Sequence, residues 1–173
     1  MKRSRLHIPN SKGYELNAYL ELPANQKPEH FALFAHCFTC SSSLAPVRNI
    51  SRELTNHGIG VLRFDFTGLG QSEGSFSESH ISANVQDLID VHQFMTEHYE
   101  APEFFIGHSL GGAAVLVSAS KLESVKAVAT IGAPAHIDHV KQHFSHGIDE
   151  LEKKGEVEVD IGGRLFKINQ EFV

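Results

Sequence analysis

A chain of 173 residues can build one domain with a real core and has no room for two ordinary ones. With 41% hydrophobic and 21% charged residues it falls in the soluble globular class, and a formal charge of −6 argues against nucleic acid or an anionic membrane surface as partner. The basic start, Met1 to Arg5, is not followed by the apolar run of a signal peptide, and no stretch reaches membrane-spanning length, so a cytoplasmic protein is expected.

In chain order, Glu15 to Leu22 alternates, with Leu16, Ala18, Leu20 and Leu22 on one side, and predicts a half-buried strand after the turn signal Asn10-Ser11-Lys12-Gly13. Phe31 to Ala35 is continuously apolar, as a strand covered on both faces would be. A helix is expected over Ala45 to Asn56, where Val47, Ile50 and Leu54 recur at helical spacing and Gly58 suits the position just past the end. Ile59 to Phe64 reads as the next strand and runs into Asp65-Phe66-Thr67-Gly68-Leu69-Gly70-Gln71-Ser72-Glu73-Gly74. The glycine spacing there is wrong for a dinucleotide-binding turn, and no helix starts at once. From Asn84 to Tyr99 an apolar stripe predicts a helix, with His92 within the stripe as a core-edge histidine.

Next comes the stretch with the sharpest chemical signal. The apolar run Phe104-Phe105-Ile106 turns through Gly107-His108-Ser109-Leu110-Gly111 directly into the helix-type run Ala113 to Ala119. A strand that turns through G-x-S-x-G into a helix lifts the serine hydroxyl above the carboxyl edge of a sheet, in a strained backbone conformation. Only very small residues two before and two after the serine avoid clashing, hence Gly107 and Gly111, and the first free N–H groups of the helix point at any oxyanion formed nearby. Val125 to Ile131 is a further strand. The alternation of strands and helices implies a mostly parallel sheet with helices on both faces. After Pro134 the pattern changes: Ala135 to Lys154 is polar and histidine-rich, with a short amphipathic helix expected. Val157 to Ile168 reads as a hairpin about Gly162-Gly163, pairing Val159 with Phe166, Glu158 with Lys167 and Val157 with Ile168.

The two cysteines, Cys37 and Cys40, form one C-x-x-C, which is neither a disulfide framework nor a complete tetrahedral zinc site. Following a strand and preceding a helix, the pair stands where a thioredoxin-like dithiol would, although the strand arrangement is wrong for that fold. Twelve histidines include no H-E-x-x-H or similar spacing, so neither metal nor cofactor is expected.

Four segments carry a family resemblance: Phe34-Ala35-His36-Cys37-Phe38-Thr39-Cys40, Arg63 to Gly74, Ile106 to Ala114 and Ala129 to Pro134. In order they resemble the landmarks of an α/β hydrolase, more narrowly the hydrolase half of bacterial proteins that join such a domain to an OsmC-like domain. The resemblance implies a three-layer α/β-hydrolase fold over 1–173, with the core sheet in 1–134 and a lid-like insertion in 135–173. It implies a serine hydrolase acting on an ester, thioester or amide bond of a small acyl substrate, through an acyl-enzyme on Ser109. The backbone N–H groups of Leu110 and Phe38 match the oxyanion donors, with Cys37 standing where the family commonly carries glycine. Gly107, His108, Gly111 and Asp65 match positioning roles. The family's triad runs Ser, then Asp or Glu, then His. Asp138 with His139, His143 or His146 has that order, but no predicted strand end presents them. At roughly 30 residues per β-α-β step, eight strands exceed this chain. The expectation is therefore an incomplete domain, truncated inside the lid, whose acid and histidine lie downstream beside an OsmC-like partner. The competing expectation is a non-catalytic binding module of the same fold.

Overall fold

The computed structural model describes residues 1–135, 154–160 and 165–169. The chain runs through β1 (Lys2–Pro9), β2 (Glu15–Leu22), β3 (His30–Ala35), α1 (Ala45–Asn56), β4 (Ile59–Phe64), a 3-10 turn (Phe76–Glu78), α2 (Ile81–His98), β5 (Phe104–His108), α3 (Leu110–Ala119) and β6 (Ala127–Ile131). Beyond these come β7 (Glu156–Asp160) and β8 (Leu165–Asn169).

Six strands form one sheet in the order β1-β2-β4-β3-β5-β6. Strands β4, β3, β5 and β6 are mutually parallel, while β2 joins β4 antiparallel and β1 joins β2 antiparallel. Alternate residues of β3 show why the central strands read as unbroken apolar runs. Ala32 and Phe34 pack on one face with Val47 of α1, Val61 and Ile106, whereas Phe31, Leu33 and Ala35 join the larger cluster on the other. That larger cluster takes in Leu88, Val91 and Met95 of α2 and Ala114 and Val115 of α3. Helices thus cover both faces, as the alternation of elements requires.

The starts of α2 and β6 differ from the sequence reading by two or three residues, and one strand is new. β1 was not foreseen, because its alternation is masked by Lys2, Arg3 and Arg5 on exposed positions and only Ile8 is fully buried. α2 begins at Ile81, earlier than the apolar stripe, after an N-cap at His80 whose ring accepts from the N–H of Ala83. β6 begins at Ala127 rather than Val125.

β7 and β8 form the expected antiparallel hairpin in the expected register, with Val157 opposite Ile168, Glu158 opposite Lys167 and Val159 opposite Phe166. The hairpin is a separate two-stranded sheet, and β8 packs beside the 3-10 turn. The expected helix within Ala135 to Lys154, the Gly162-Gly163 turn, and Asp138, His139, His143 and His146 lie outside the described residues. Among the described residues no helix is long and apolar enough to cross a membrane.

Candidate active site

At the carboxyl end of β5 the backbone does what the glycine spacing asks of it. Ser109 caps α3 with φ 53° and ψ −123°, a region that a residue with a side chain occupies at a cost of about 1–3 kcal/mol. Such strain persists only where the surroundings enforce it. A Cβ on Gly107 would lie 2.4 Å from the carbonyl oxygen of Gly111, and one on Gly111 would lie 2.3 Å from that of His36. The elbow is therefore folded tightly on itself and pressed against the loop leaving β3. On its other side, the N–H of Ser109 donates to the carbonyl of Ile131 at the end of β6 (2.9 Å). Ser109 and His108 are half-buried. The N–H of Leu110, in the first turn of α3, has no acceptor within the helix, as at any helix start.

The loop after β3 is held by His36, which stands in a segment carrying the family resemblance but has no role of its own in the sequence reading. Its ring is buried, with Nδ1 2.7 Å from the carbonyl oxygen of Cys37 and Nε2 accepting from the N–H of Phe66 at 3.3 Å. These partners assign the proton to Nδ1 and leave the ring neutral. Burial holds the imidazole below its ordinary value of 6.5; the Cys37 carbonyl and Asp65 act in the opposite sense, and His108 adds to the lowering. The Cys37 carbonyl and the Phe38 N–H share one trans peptide plane and point opposite ways. By fixing the carbonyl, His36 fixes the direction of that N–H.

From Cys37 the chain makes a tight turn. The N–H of Cys40 donates to the carbonyl of Cys37 (3.2 Å), Thr39 sits at φ 62°, and Cys37 and Cys40 are joined by a disulfide across Cα atoms 5.3 Å apart. The sequence had left the state of the two cysteines open. The Phe38 ring lies 5.3 Å from that of Phe76 in the 3-10 turn, which is the element β8 packs beside.

Asp65 organises the other end of this loop. Its buried carboxylate accepts from the N–H of Ser42 (2.6 Å), from Nδ2 of Asn17 (2.9 Å) and from the N–H of Gln71 (3.0 Å). Arg63, equally buried, donates through Nη1 to the Ser42 carbonyl (2.7 Å) and through Nη2 to Glu21 (2.9 Å), with its guanidinium 4.5 Å from the Tyr19 ring. Both polar groups of the Ser42 backbone are thus held by buried charged side chains. Asn17, Glu21, Ser42 and Arg63 were not foreseen, since each acts on a partner at least 21 residues away.

Such a site presents the Ser109 hydroxyl at the start of α3, next to the N–H of Leu110 that has no acceptor within the helix. Among the described residues no side chain hydrogen-bonds the Ser109 hydroxyl, and none of the clusters of His, Cys, Asp and Glu is suited to hold a metal ion. His36 is not available to take the serine proton, because both its ring nitrogens are engaged.

Residues 26–154 match a family model described as serine aminopeptidase, S33. The esterase domain of a Rhodothermus marinus protein, a solved structure, is 44% identical with a TM-score of 0.73; the match covers 99% of this chain and 66% of that one. Protein phosphatase methylesterase 1 of Candida albicans is 32% identical over 105 residues, 60% of this chain and 28% of its own length. The palmitoyl-protein thioesterase ABHD10, mitochondrial, of Rattus norvegicus is 31% identical over 104 residues, 57% of this chain. The match spans only about a third of that relative's length (33%).

Proposed function

This chain belongs to the serine aminopeptidase S33 family and folds as an α/β hydrolase, and on that premise we propose that it is the nucleophile-bearing part of a serine hydrolase cleaving an ester or thioester of a small acyl substrate. The observation that carries the proposal is Ser109 at positive φ on a strand-to-helix elbow. Its hydroxyl attacks the acyl carbonyl, the developing oxyanion takes hydrogen bonds from the N–H groups of Leu110 and Phe38, and the leaving group departs to give an acyl-enzyme that water hydrolyses. Esters and thioesters are favoured over amides by the names of the relatives, an esterase domain, a methylesterase and a thioesterase. The base and its orienting acid, a histidine and an aspartate, come from outside the described residues. The same reading gives the protein a cytoplasmic location and an OsmC-like domain as C-terminal partner.

An alkyl fluorophosphonate probe tests this on the complete protein. Labelling is expected at Ser109 and lost in Ser109→Ala; wild type left unlabelled under conditions that label known esterases would sink the proposal. Residues 1–173 by themselves are expected to turn over p-nitrophenyl acetate little or not at all. The lack of a hydrogen-bonded base at Ser109 among the described residues favours a second reading, a hydrolase-like module that binds without turnover. Equal ligand binding by wild type and Ser109→Ala, with no hydrolysis by either, would select it.

A further inference from the structure

We infer that Asp87, on α2 and outside the catalytic machinery, is a positioning residue for the oxyanion loop: it anchors Thr67, and through Phe66 and His36 it sets the peptide that carries the Phe38 N–H. The inference rests on the hydrolase reading above, which assigns that N–H to the oxyanion, and adds a residue to it.

The direction of the Phe38 N–H follows from the bond between the His36 ring and the Cys37 carbonyl, so whatever sets the ring sets the donor. Two further contacts orient the ring, both from Phe66. The Phe66 N–H reaches Nε2 at 3.3 Å, and the phenyl ring stands edge-on with centroids 5.0 Å apart. Phe66 is in turn held from both sides along the chain. Before it, Asp65 is fixed by Ser42, Asn17 and Gln71. After it, Thr67 is gripped by Asp87, whose Oδ2 accepts from the Thr67 N–H (2.8 Å) and whose Oδ1 accepts from the Thr67 hydroxyl (2.9 Å). The same Oδ1 accepts from Nδ2 of Asn10 (2.9 Å), which also reaches the Thr67 hydroxyl (3.0 Å). Asn10 cannot turn its amide over, because its Oδ1 already accepts from the N–H groups of Lys12 and Tyr14.

This carboxylate does more than fasten α2 to the sheet. α2 already packs there through Leu88, Val91 and Met95. Asp87 is 2% exposed beside them, and its hydrogen-bond partners, Thr67 and Asn10, are uncharged. A buried carboxylate is a costly way to add stability, whereas a fully satisfied polar network selects one arrangement strongly. The arrangement selected here is that of Phe66 and Thr67 against the His36 ring. Loosening Thr67 lets the Phe66 N–H draw back from Nε2, the ring rocks, and the Cys37–Phe38 peptide follows. Outright removal of an oxyanion donor slows turnover by about 10²–10³, so a donor that is displaced should cost about tenfold. KM should hold, since the donor acts on the transition state and not on bound substrate.

Two variants of the complete protein test this. Asp87→Asn keeps the size and one acceptor oxygen, but sets its own amide hydrogens against either the Thr67 N–H or the Asn10 amide. Combining it with Asn10→Asp restores a carboxylate facing an amide. With p-nitrophenyl acetate, Asp87→Asn is expected to lose about tenfold in kcat with KM within about twofold of wild type, and the double variant to regain most of the loss. Fluorophosphonate labelling of Ser109 should follow kcat. Urea unfolding, measured alongside, separates positioning from simple damage. An Asp87→Asn protein that is less stable but turns over at the wild-type rate overturns the proposal, and so does a double variant that recovers stability and not kcat. Should no form hydrolyse or label, the hydrolase reading fails by itself and amide NMR decides the positioning. A Phe38 amide resonance that shifts in Asp87→Asn and returns in the double variant upholds it, and one that Asp87→Asn leaves unmoved overturns it.

Discussion

Strand β5 carries the elbow between two neighbours that could hardly be less alike. On one side β3 leads into a loop whose ends are held by His36, Asp65 and Arg63, all three nearly inaccessible to solvent. On the other, β6 is exposed along most of its length and touches Ser109 through one backbone hydrogen bond, from its N–H to Ile131. The strained serine is therefore positioned chiefly from the β3 side, by backbone pressing on backbone and by buried polar groups with few alternative arrangements. The β6 side adds one tether. If this asymmetry is right, small changes on the first side should be costly and larger ones on the second should be cheap.

The largest effect is expected at Asp65. Replacing it by Ala orphans the donors of Ser42, Asn17 and Gln71, the first two of them buried. At about 1–3 kcal/mol for each buried donor left unpaired, urea unfolding should show a loss of about 3 kcal/mol or more, and Asp65→Asn, which keeps one acceptor oxygen, should lose less. Gly111→Ala comes next. Its Cβ would meet the carbonyl oxygens of His36 and Ala35 at 2.3 and 2.6 Å, and backbone on both sides cannot yield cheaply. Overpacking of about 1–3 kcal/mol is expected. Because the displaced group is the elbow itself, Ser109 labelling should slow by about a hundredfold, the usual consequence of a misplacement near 1 Å. A variant that loses stability but labels at the wild-type rate would show that the β3 side supports the fold and not the serine.

How much of this could be read from the sequence depends on how far apart the partners are. Elements made by local periodicity were legible: α1 matches its expected bounds, and the hairpin pairs in its expected register. The elbow was legible because its steric demands act within five residues, Gly107 to Gly111. What escaped were groups that act across the chain. Asn17 reaches Asp65, Arg63 reaches back to Glu21 and Ser42, and His36 receives the N–H of Phe66. Each is an ordinary polar residue in an apolar context, and nothing in its own neighbourhood names its partner. β1 escaped for a related reason. It is an edge strand whose outward positions carry the charges that keep such edges from pairing, and those charges hide the alternation.

The His36 ring offers a pH-dependent test of the same asymmetry. Its folded-state pKa is lowered, so the unfolded chain takes up a proton that the folded state refuses once the pH falls below about 6.5. The stabilisation from the neutral ring is thus complete above that value and is lost as pH falls towards the folded pKa. His92, also lowered by burial, acts with the same sign. Asp87 acts oppositely: burial raises it above 3.8 against the pull of Thr67 and Asn10, so its contribution is present below 3.8 and lost as pH rises through its folded value. Chemical unfolding between pH 7.5 and 5 should therefore show stability falling with acidification in wild type. In His36→Gln, which removes one of the two histidine contributions found among the described residues, the fall should be shallower. Equal slopes would mean that the His36 ring admits its proton in the folded state, and the firm side of the elbow would be softer than its burial implies.

The smallest effects are expected on the open side. Leu116 and Val117 of α3 and Ile131 of β6 are 52, 42 and 42% exposed. Replacing each in turn by Thr should change stability by no more than about 0.5 kcal/mol, as for ordinary surface positions. Ile131→Thr is the most informative of the three, because its backbone carbonyl, which the substitution keeps, is the acceptor for Ser109. If the carbonyl alone matters, thermal stability and Ser109 labelling both stay at wild-type values. A loss above about 1.5 kcal/mol in the complete protein would mean that the Ile131 side chain is covered there. The elbow would then be held from both flanks and the contrast between them would collapse.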